Sequence, residues 1–277
     1  MHRRRMHGAT VWIVLLILLV IAAGVAGYWW LESSRQPPPQ TDETPAPPVV
    51  DERPAPAAPR YPVEHIVAEP AEPAGVTPPP TIGDDTSAAG ILEQFVGADT
   101  YAALFRPEQL VERFVATIDN LPRRQLPERL RPWRRPDGAF VAVGDGADAT
   151  IGTANDARYA ALIRAFLSLD SDLVLRTYRH NYPRLQAAYR QLGYPDGHFN
   201  DRLVEVLTHL GDTPALTSRP RLARPNVLYE YADPALEQRS IGQRLLLRLD
   251  PDSRGRLLEQ LGVYREALAG DAPPAAD

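Results

Sequence analysis

Apolar residues follow two regimes along this chain. Residues 11–31 read VWIVLLILLVIAAGVAGYWWL, 21 apolar positions without a charge. From about residue 89 to 269, apolar positions instead recur every three or four residues between polar ones. The first pattern is that of a helix with apolar surroundings on every side, and ~20 such residues span the hydrocarbon of a bilayer. The second is that of amphipathic helices, each turning one face to a shared core.

The helical stretches can be placed from their stripes and punctuation. PEQLVERFVATIDNL (107–121) sets Leu110, Val111, Phe114, Val115 and Ile118 on one face, with Pro107 suited to the first helical position. TANDARYAALIRAFLSL (153–169) stripes Tyr159, Leu162, Ile163, Phe166 and Leu169. Asp170 or Ser171 can cap DLVLRTYRHNY, Pro183 is expected to interrupt before RLQAAYRQL, and Gly193 suits a left-handed stop. NDRLVEVLTHL (200–210) follows with Asn200 as its cap. Asp233 before Pro234, Ser240, and Asp250 before Pro251 open the last three helices. Only AFVAVGD (139–145) and NVLYEY (226–231) suggest strands.

The predicted fold is mainly α: one N-terminal transmembrane helix, a Pro-rich disordered linker, then a single globular domain of about seven or eight helices with at most a small hairpin. The expected boundaries are a tail at 1–10, the span at 11–31, the linker at 32–88, the helical domain at 89–269 and a disordered tail at 270–277.

Charge around the apolar run sets an expected orientation. Arg3, Arg4 and Arg5 precede it, whereas Arg35 is the only nearby basic residue after it. The excess of arginine keeps the N-terminus in the cytoplasm, and everything beyond residue 31 is then periplasmic in a two-membrane bacterium. The run exceeds the ~7–15 residues of a signal-peptide core, so an uncleaved inner-membrane anchor is expected rather than cleavage after GVA at 24–26.

Residues 36–80 carry 15 prolines. Proline fixes φ and removes a hydrogen-bond donor, so regular helix and sheet are excluded there. An extended polyproline-like spacer results, with a contour of ~140 Å at its usual rise. YPVEHIV (61–67) reads as a slightly apolar island within it, with a short docking motif as the alternative.

Composition narrows the chemistry. The formal net charge of −5 is not that of a nucleic-acid binder. The chain contains no cysteine and no lysine, which removes disulfides, thiol catalysis and Schiff-base chemistry. Phosphate loops, dinucleotide fingerprints, GxSxG elbows and HExxH pairs are missing from the sequence, and nothing in it calls for a cofactor or a metal. GDGADAT (144–150), with Asp145 and Asp148, lacks the spacing of a calcium loop and reads as a surface turn.

Two segments remain as candidate sites. GYPDGHFNDRL (193–203) concentrates Asp196, His198, Asn200, Asp201 and Arg202. Turn and helix-start chemistry accounts for most of these, and His198 with Asp201 and Asp119 is left as a weak acid–base candidate. LPRRQLPERLRPWRRPDG (121–138) holds six arginines and four prolines around a tryptophan. Arginine forks match carboxylates and phosphates, so Arg123, Arg124, Arg131, Arg134 and Arg135 with Trp133 form the candidate contact surface.

The blocks RFVATIDNLPR, NDARYAALI, YPRLQAAYRQLGYPDGHFNDRLVEVLTHL and YEYADPALEQRSIGQRLLLRL resemble, in order and spacing, the bacterial domain-of-unknown-function family 3014. The resemblance covers most of residues 91–269. It implies a membrane-anchored envelope protein with the same anchor, linker and helical domain, and it brings no catalytic residue with it. The expected function is a cell-envelope binding or scaffold module held at the membrane by residues 11–31. Its partner would be an envelope protein, an anionic lipid or the cell wall. The alternatives are a lipid- or glycan-binding domain, or an envelope hydrolase built on His198, Asp201 and Asp119.

Overall fold

The computed structural model describes residues 58–66, 79, 81–134, 139–226 and 228–270. The expected cytoplasmic tail, the transmembrane helix and residues 271–277 of the expected C-terminal tail lie outside them. Among the described residues no helix is long and apolar enough to cross a membrane.

The described domain is mainly helical. Its α-helices are α1 (Asp85–Val96), α2 (Ala98–Leu104), α3 (Leu110–Asn120), α4 (Ala157–Leu167), α5 (Ser171–Gln191), α6 (Phe199–Gly211), α7 (Pro234–Glu237), α8 (Ile241–Leu246) and α9 (Pro251–Ala269). The count exceeds the expected seven or eight because α1 starts inside the stretch read as linker and α2 was not foreseen. Helices α3, α5, α6 and α9 form the centre, with α6 packed along α9 and α3 against both α5 and α6. Helices α1 and α4 close the sides of this core.

The predicted face of α3 is the observed one. Leu110, Val111, Phe114, Val115 and Ile118 are each at most 1% exposed. The helix nonetheless starts at Leu110, three residues beyond Pro107. Gln109 adopts a left-handed conformation (φ 52°), and the Asp85 carboxylate accepts from the Gln109 and Leu110 amides at 2.6 and 2.9 Å. A side chain of α1 thus caps α3, which fixes the start of α3 from a distance. The local caps at Asp170, Asp233, Ser240 and Asp250 are all where the sequence places them.

Pro183 does not interrupt the chain: α5 runs through it from Ser171 to Gln191. An interior proline costs ~3 kcal/mol. Helix α5 buries Val174, Leu175, Tyr178, Leu185, Ala188 and Tyr189, and Val174, Leu175 and Leu185 alone contribute roughly 1.5–3 kcal/mol each when fully removed from water. Packing therefore outweighs the local penalty, while the ring of Pro183 stays on the exposed side.

The two predicted strand regions contribute β1 (Ala142–Val143) and β4 (Glu230–Tyr231), but they do not pair with each other. β1 pairs antiparallel with β2 (Thr150–Ile151), and β4 with β3 (Leu222–Ala223). A Thr150–Arg221 bridge joins the two ladders. The resulting β lobe has its own small core of Ala149, Ile151, Leu222, Tyr231, Leu236 and Leu247.

The apolar island of the linker is docked on the domain. A short 3-10 turn at Val63–His65 packs on α5, and Ile66 is 1% exposed. Apolar surface outweighed the proline-rich context here: Ile66, with Tyr61 and Val63 partly buried, joins the main core.

The distant cap gives a direct expectation. Asp85→Ala leaves two amides at the start of α3 without their acceptor and should lower stability by about 1–2 kcal/mol. The check is the urea midpoint, which Asp85→Asn should lower less.

Candidate functional site

The polar turn at the start of α6 is a junction in which consecutive side chains take different partners. The helix begins at Phe199 with His198 at the cap position and no side-chain capping bond there. Asn200, expected as the cap, lies inside the first turn and is fully buried. Gln186 of α5 supplies the acceptor instead, taking the Phe199 amide at 2.8 Å and the Tyr182 hydroxyl at 2.8 Å. Asn200 is thereby available for longer-range bonds. Its amide donates to the carbonyls of Tyr61 at 2.7 Å and Leu268 at 3.1 Å, and its oxygen accepts from the Tyr178 hydroxyl at 3.0 Å. Burial raises the Tyr178 pKa well above the usual tyrosine range, so that hydroxyl stays a donor.

Asp201 turns to the docked island. Its two oxygens accept from the Arg60 and Tyr61 amides at 3.0 and 2.8 Å. Arg202 turns the other way, to Asp119 at the end of α3. Its Nε meets Asp119 Oδ1 at 2.9 Å, Nη2 donates to the Asp119 carbonyl at 2.7 Å, and Nη1 reaches Glu205 at 3.2 Å. Burial pulls the Arg202 pKa down, but Asp119 and Glu205 outweigh it and the net shift is upward. The second oxygen of Asp119 takes Arg123 at 2.9 Å and the Tyr194 hydroxyl at 3.3 Å.

Asp119 and Asp201 have separate surroundings. Asp119, 4% exposed, is held by two arginines and a tyrosine. Asp201 grips backbone amides, and His198 opens α6. The two carboxylates share none of these partners. The described residues also hold no cluster of three or more His, Asp or Glu suited to a metal.

The arginine-rich segment is stitched to the body through its backbone. Carbonyls of Leu121 and Arg123 accept from the Gly242 and Ile241 amides at 3.0 and 2.7 Å, which satisfies the start of α8. Contact is so close that a side chain at Gly242 would meet Leu210 at 2.6 Å. Arg244, itself buried, donates to the Arg124 carbonyl at 2.7 Å. Further along, the Thr117 hydroxyl bonds the Leu130 carbonyl at 3.0 Å, and Trp133 bridges to Phe105 beside α2.

This belt corrects the candidate contact surface. Arg131 and Trp133 are each 6% exposed, with Arg131 donating to the Leu126 carbonyl at 2.7 Å. They support the belt from within, because apolar contact and carbonyl acceptors lie on that side. Arg123, Arg124 and Arg134 remain exposed, joined by Arg129, and Arg135 lies outside the described residues.

Two features were not foreseen. The β lobe has a pocket of about 20 Å³ lined by Phe140, Tyr229, Tyr231, Glu230, Glu237 and Arg248 among others. That is room for about one water. Burial pushes the Tyr231 pKa up to about 12, and its hydroxyl donates to the Arg244 carbonyl at 2.8 Å. The second is His209 Nε2 at 2.8 Å from Ser240 Oγ, the spacing of a nucleophile and its base. Ser240 Oγ also accepts from the Gln243 amide as the cap of α8, Ser240 is 7% exposed, and none of the pocket's lining residues belongs to this pair. The pair reads as a reinforced helix cap.

A model of a protein family of unknown function, DUF3014, matches residues 110–265. The chain belongs to the DUF3014 family. Comparison with curated proteins and with solved structures finds no match. The residues matched by DUF3014 include Asp119, Asn200, Asp201 and Arg202, while the docked island at 60–66 lies before them.

Two measurements follow for the DUF3014 junction and cap. Arg202→Ala removes one of the two arginines meeting a buried carboxylate that keeps Arg123, and should cost about 1.5–3 kcal/mol in chemical denaturation. Arg202→Lys should restore only part of that, because an ammonium does not reproduce the three-way fork. Burial lowers the His209 pKa despite the opposing pull of Asp212. The unfolded chain then takes up the proton first, so this contribution is full above pH ~6.5 and is lost as pH falls through the lowered folded value. His209→Gln should flatten the fall in urea midpoint below pH ~6.5.

Proposed function

We propose that this DUF3014 protein is a single-pass inner-membrane protein whose periplasmic domain is a binding or scaffold module of the cell envelope. One observation carries the reading of the domain. Asp119, Asn200, Asp201 and Arg202 are committed to internal bonds, whereas exposed arginines ride on a belt fastened to the α-helical body. The 21-residue apolar run and the arginine excess before it support the anchor and its orientation. The proline-rich spacer raises the effective concentration of the domain near the membrane and wall.

The partner surface is built from Arg124, Arg129 and Arg134, with Arg123 shared between solvent and Asp119. Guanidinium groups on a rigid belt suit a partner that presents carboxylates, here an acidic face of an envelope protein. Direct binding of anionic lipid or cell-wall glycan is the second reading, favoured by the same charges and needing no protein.

Two experiments test this. Full-length protein should stay in the membrane pellet after alkaline extraction, and deletion of residues 11–31 should release it; release of the intact chain would remove the anchor. Crosslinking in living cells should give a discrete protein adduct near residues 121–134. Arg124→Gln, Arg129→Gln and Arg134→Gln together should cut its yield about tenfold, the combined effect of a few rim charges. An unchanged yield would remove the belt from the contact surface, and adducts to lipid or glycan alone would move the assignment to the second reading.

A further inference from the structure

The docked island is held in an unusual way for a piece of a fold. Arg60 to Ile66 forms a short strap, a 3-10 turn at Val63–His65 between extended Pro62 and Ile66, which lies against α5, the start of α6 and the end of α9. Asp201 accepts its first two amides, and Asn200 donates to the Tyr61 carbonyl. These three bonds are made to backbone groups of Arg60 and Tyr61, so they hold the main chain whatever side chains it carries. Tyr61, Val63 and Ile66 supply the side-chain contacts, and only Ile66 is fully buried. Pro62 has φ −62° and ψ 137°, the polyproline conformation, so much of the ordering entropy is absent before docking. At the far end the His65 ring lies against Gly270, where a Cβ would stand 2.4 Å from it. Gly270 also has φ +59°, so the small residue there both ends α9 and leaves room for the ring.

Sequence on both sides makes the strap separable. Prolines crowd the chain before it and again from Pro70 to Pro80. The body resumes at Thr81 and Ile82, which bond His180 and Asn181 of α5 at 2.8 and 2.7 Å. The strap thus has its own anchoring points, distinct from those of α1.

We infer that the notch formed by Asn200, Asp201 and Gly270 is a peptide-binding site whose resident ligand is the chain's own segment 60–66, and that this ligand exchanges. One buried side chain and three backbone bonds oppose the ordering of a short segment, so the strap opens locally while the helical body stays folded. Resting on the tether reading above, the site gives the linker two lengths. With the strap docked, residues 32–59 separate the apolar run from the body; with it released, residues 32–80 do. A partner segment of the same kind, an aromatic residue before proline with an aliphatic residue five positions after the aromatic, would compete for the notch and lengthen the tether.

The test uses purified full-length protein in detergent and a fluorescent peptide of residues 58–68. Tyr61→Ala with Ile66→Ala weakens the resident strap and leaves the notch intact. This double variant should bind the peptide saturably. Wild type should bind it about tenfold more weakly, because the tethered strap competes at millimolar effective concentration. Adding Asp201→Ala should abolish binding to the double variant. No saturable binding to a double variant that still melts cooperatively would overturn the inference. Should the double variant not fold, hydrogen exchange on wild type decides. The Tyr61 amide should exchange at least about a hundredfold faster than core amides of α3. Equal protection would make the strap a fixed part of the core and overturn the exchange. Neither readout involves a membrane, so loss of the anchor in the extraction experiment would remove the two lengths and leave the peptide site standing.

Discussion

A carboxylate at 4% exposure among packed helices is a liability unless its charge is met, and Asp119 is met by Arg202 from α6 and Arg123 from its own helix end. That requirement fixes more than one bond. Arg202 reaches both the side chain and the carbonyl of Asp119, so the end of α3 is held against the first turn of α6 in one register. Leaving either charge alone in that position costs more than the pair gains over an apolar substitute. The arrangement is therefore better described as a constraint on how the helices meet than as a source of stability. The belt begins within two residues of Asp119, at Leu121, and α8 sits on the carbonyls that the belt presents. The arginine surface thus depends on the ion cluster beneath it.

What the sequence made legible was local. Helix faces followed from period, and four caps followed from a short polar residue before a turn of helix. These are decided within one or two turns of chain. The misses share the opposite property. Asp85 caps α3 from another helix, Gln186 of α5 caps α6, and Asn200 bonds residues far away in the chain at Tyr61 and Leu268. Pro183 was misjudged because the rule for proline is local and the packing that overrides it is not.

The candidate site was half legible for the same reason. That GYPDGHFNDRL mixes turn, cap and charge was plain, and most of its polar residues do have structural partners. Which partner each takes was not, since a helix start with Asn, Asp and Arg in succession presents three directions and the sequence does not name what lies along them. In the belt, a run of arginines looks like a surface in sequence. Only packing tells that Arg131 and Trp133 face inward while Arg124 and Arg129 face out.

The strap ties these points to function. Asn200, Asp201 and Arg202 serve, respectively, the Tyr61 carbonyl, the amides of Arg60 and Tyr61, and the ion cluster under the arginine belt. A rigid helix start therefore connects the place where the linker meets the domain to the surface proposed to meet a partner. Helix α6 is buried along Leu203, Val204, Val206, Leu207 and Leu210, so its first turn has little freedom to move independently of the core. Any change in strap occupancy is then felt as a change in linker length more than as a reshaping of the belt. On the anchored reading proposed above, the arginine belt would stand at two distances from the membrane, with its shape held constant by Asp119 and Arg202.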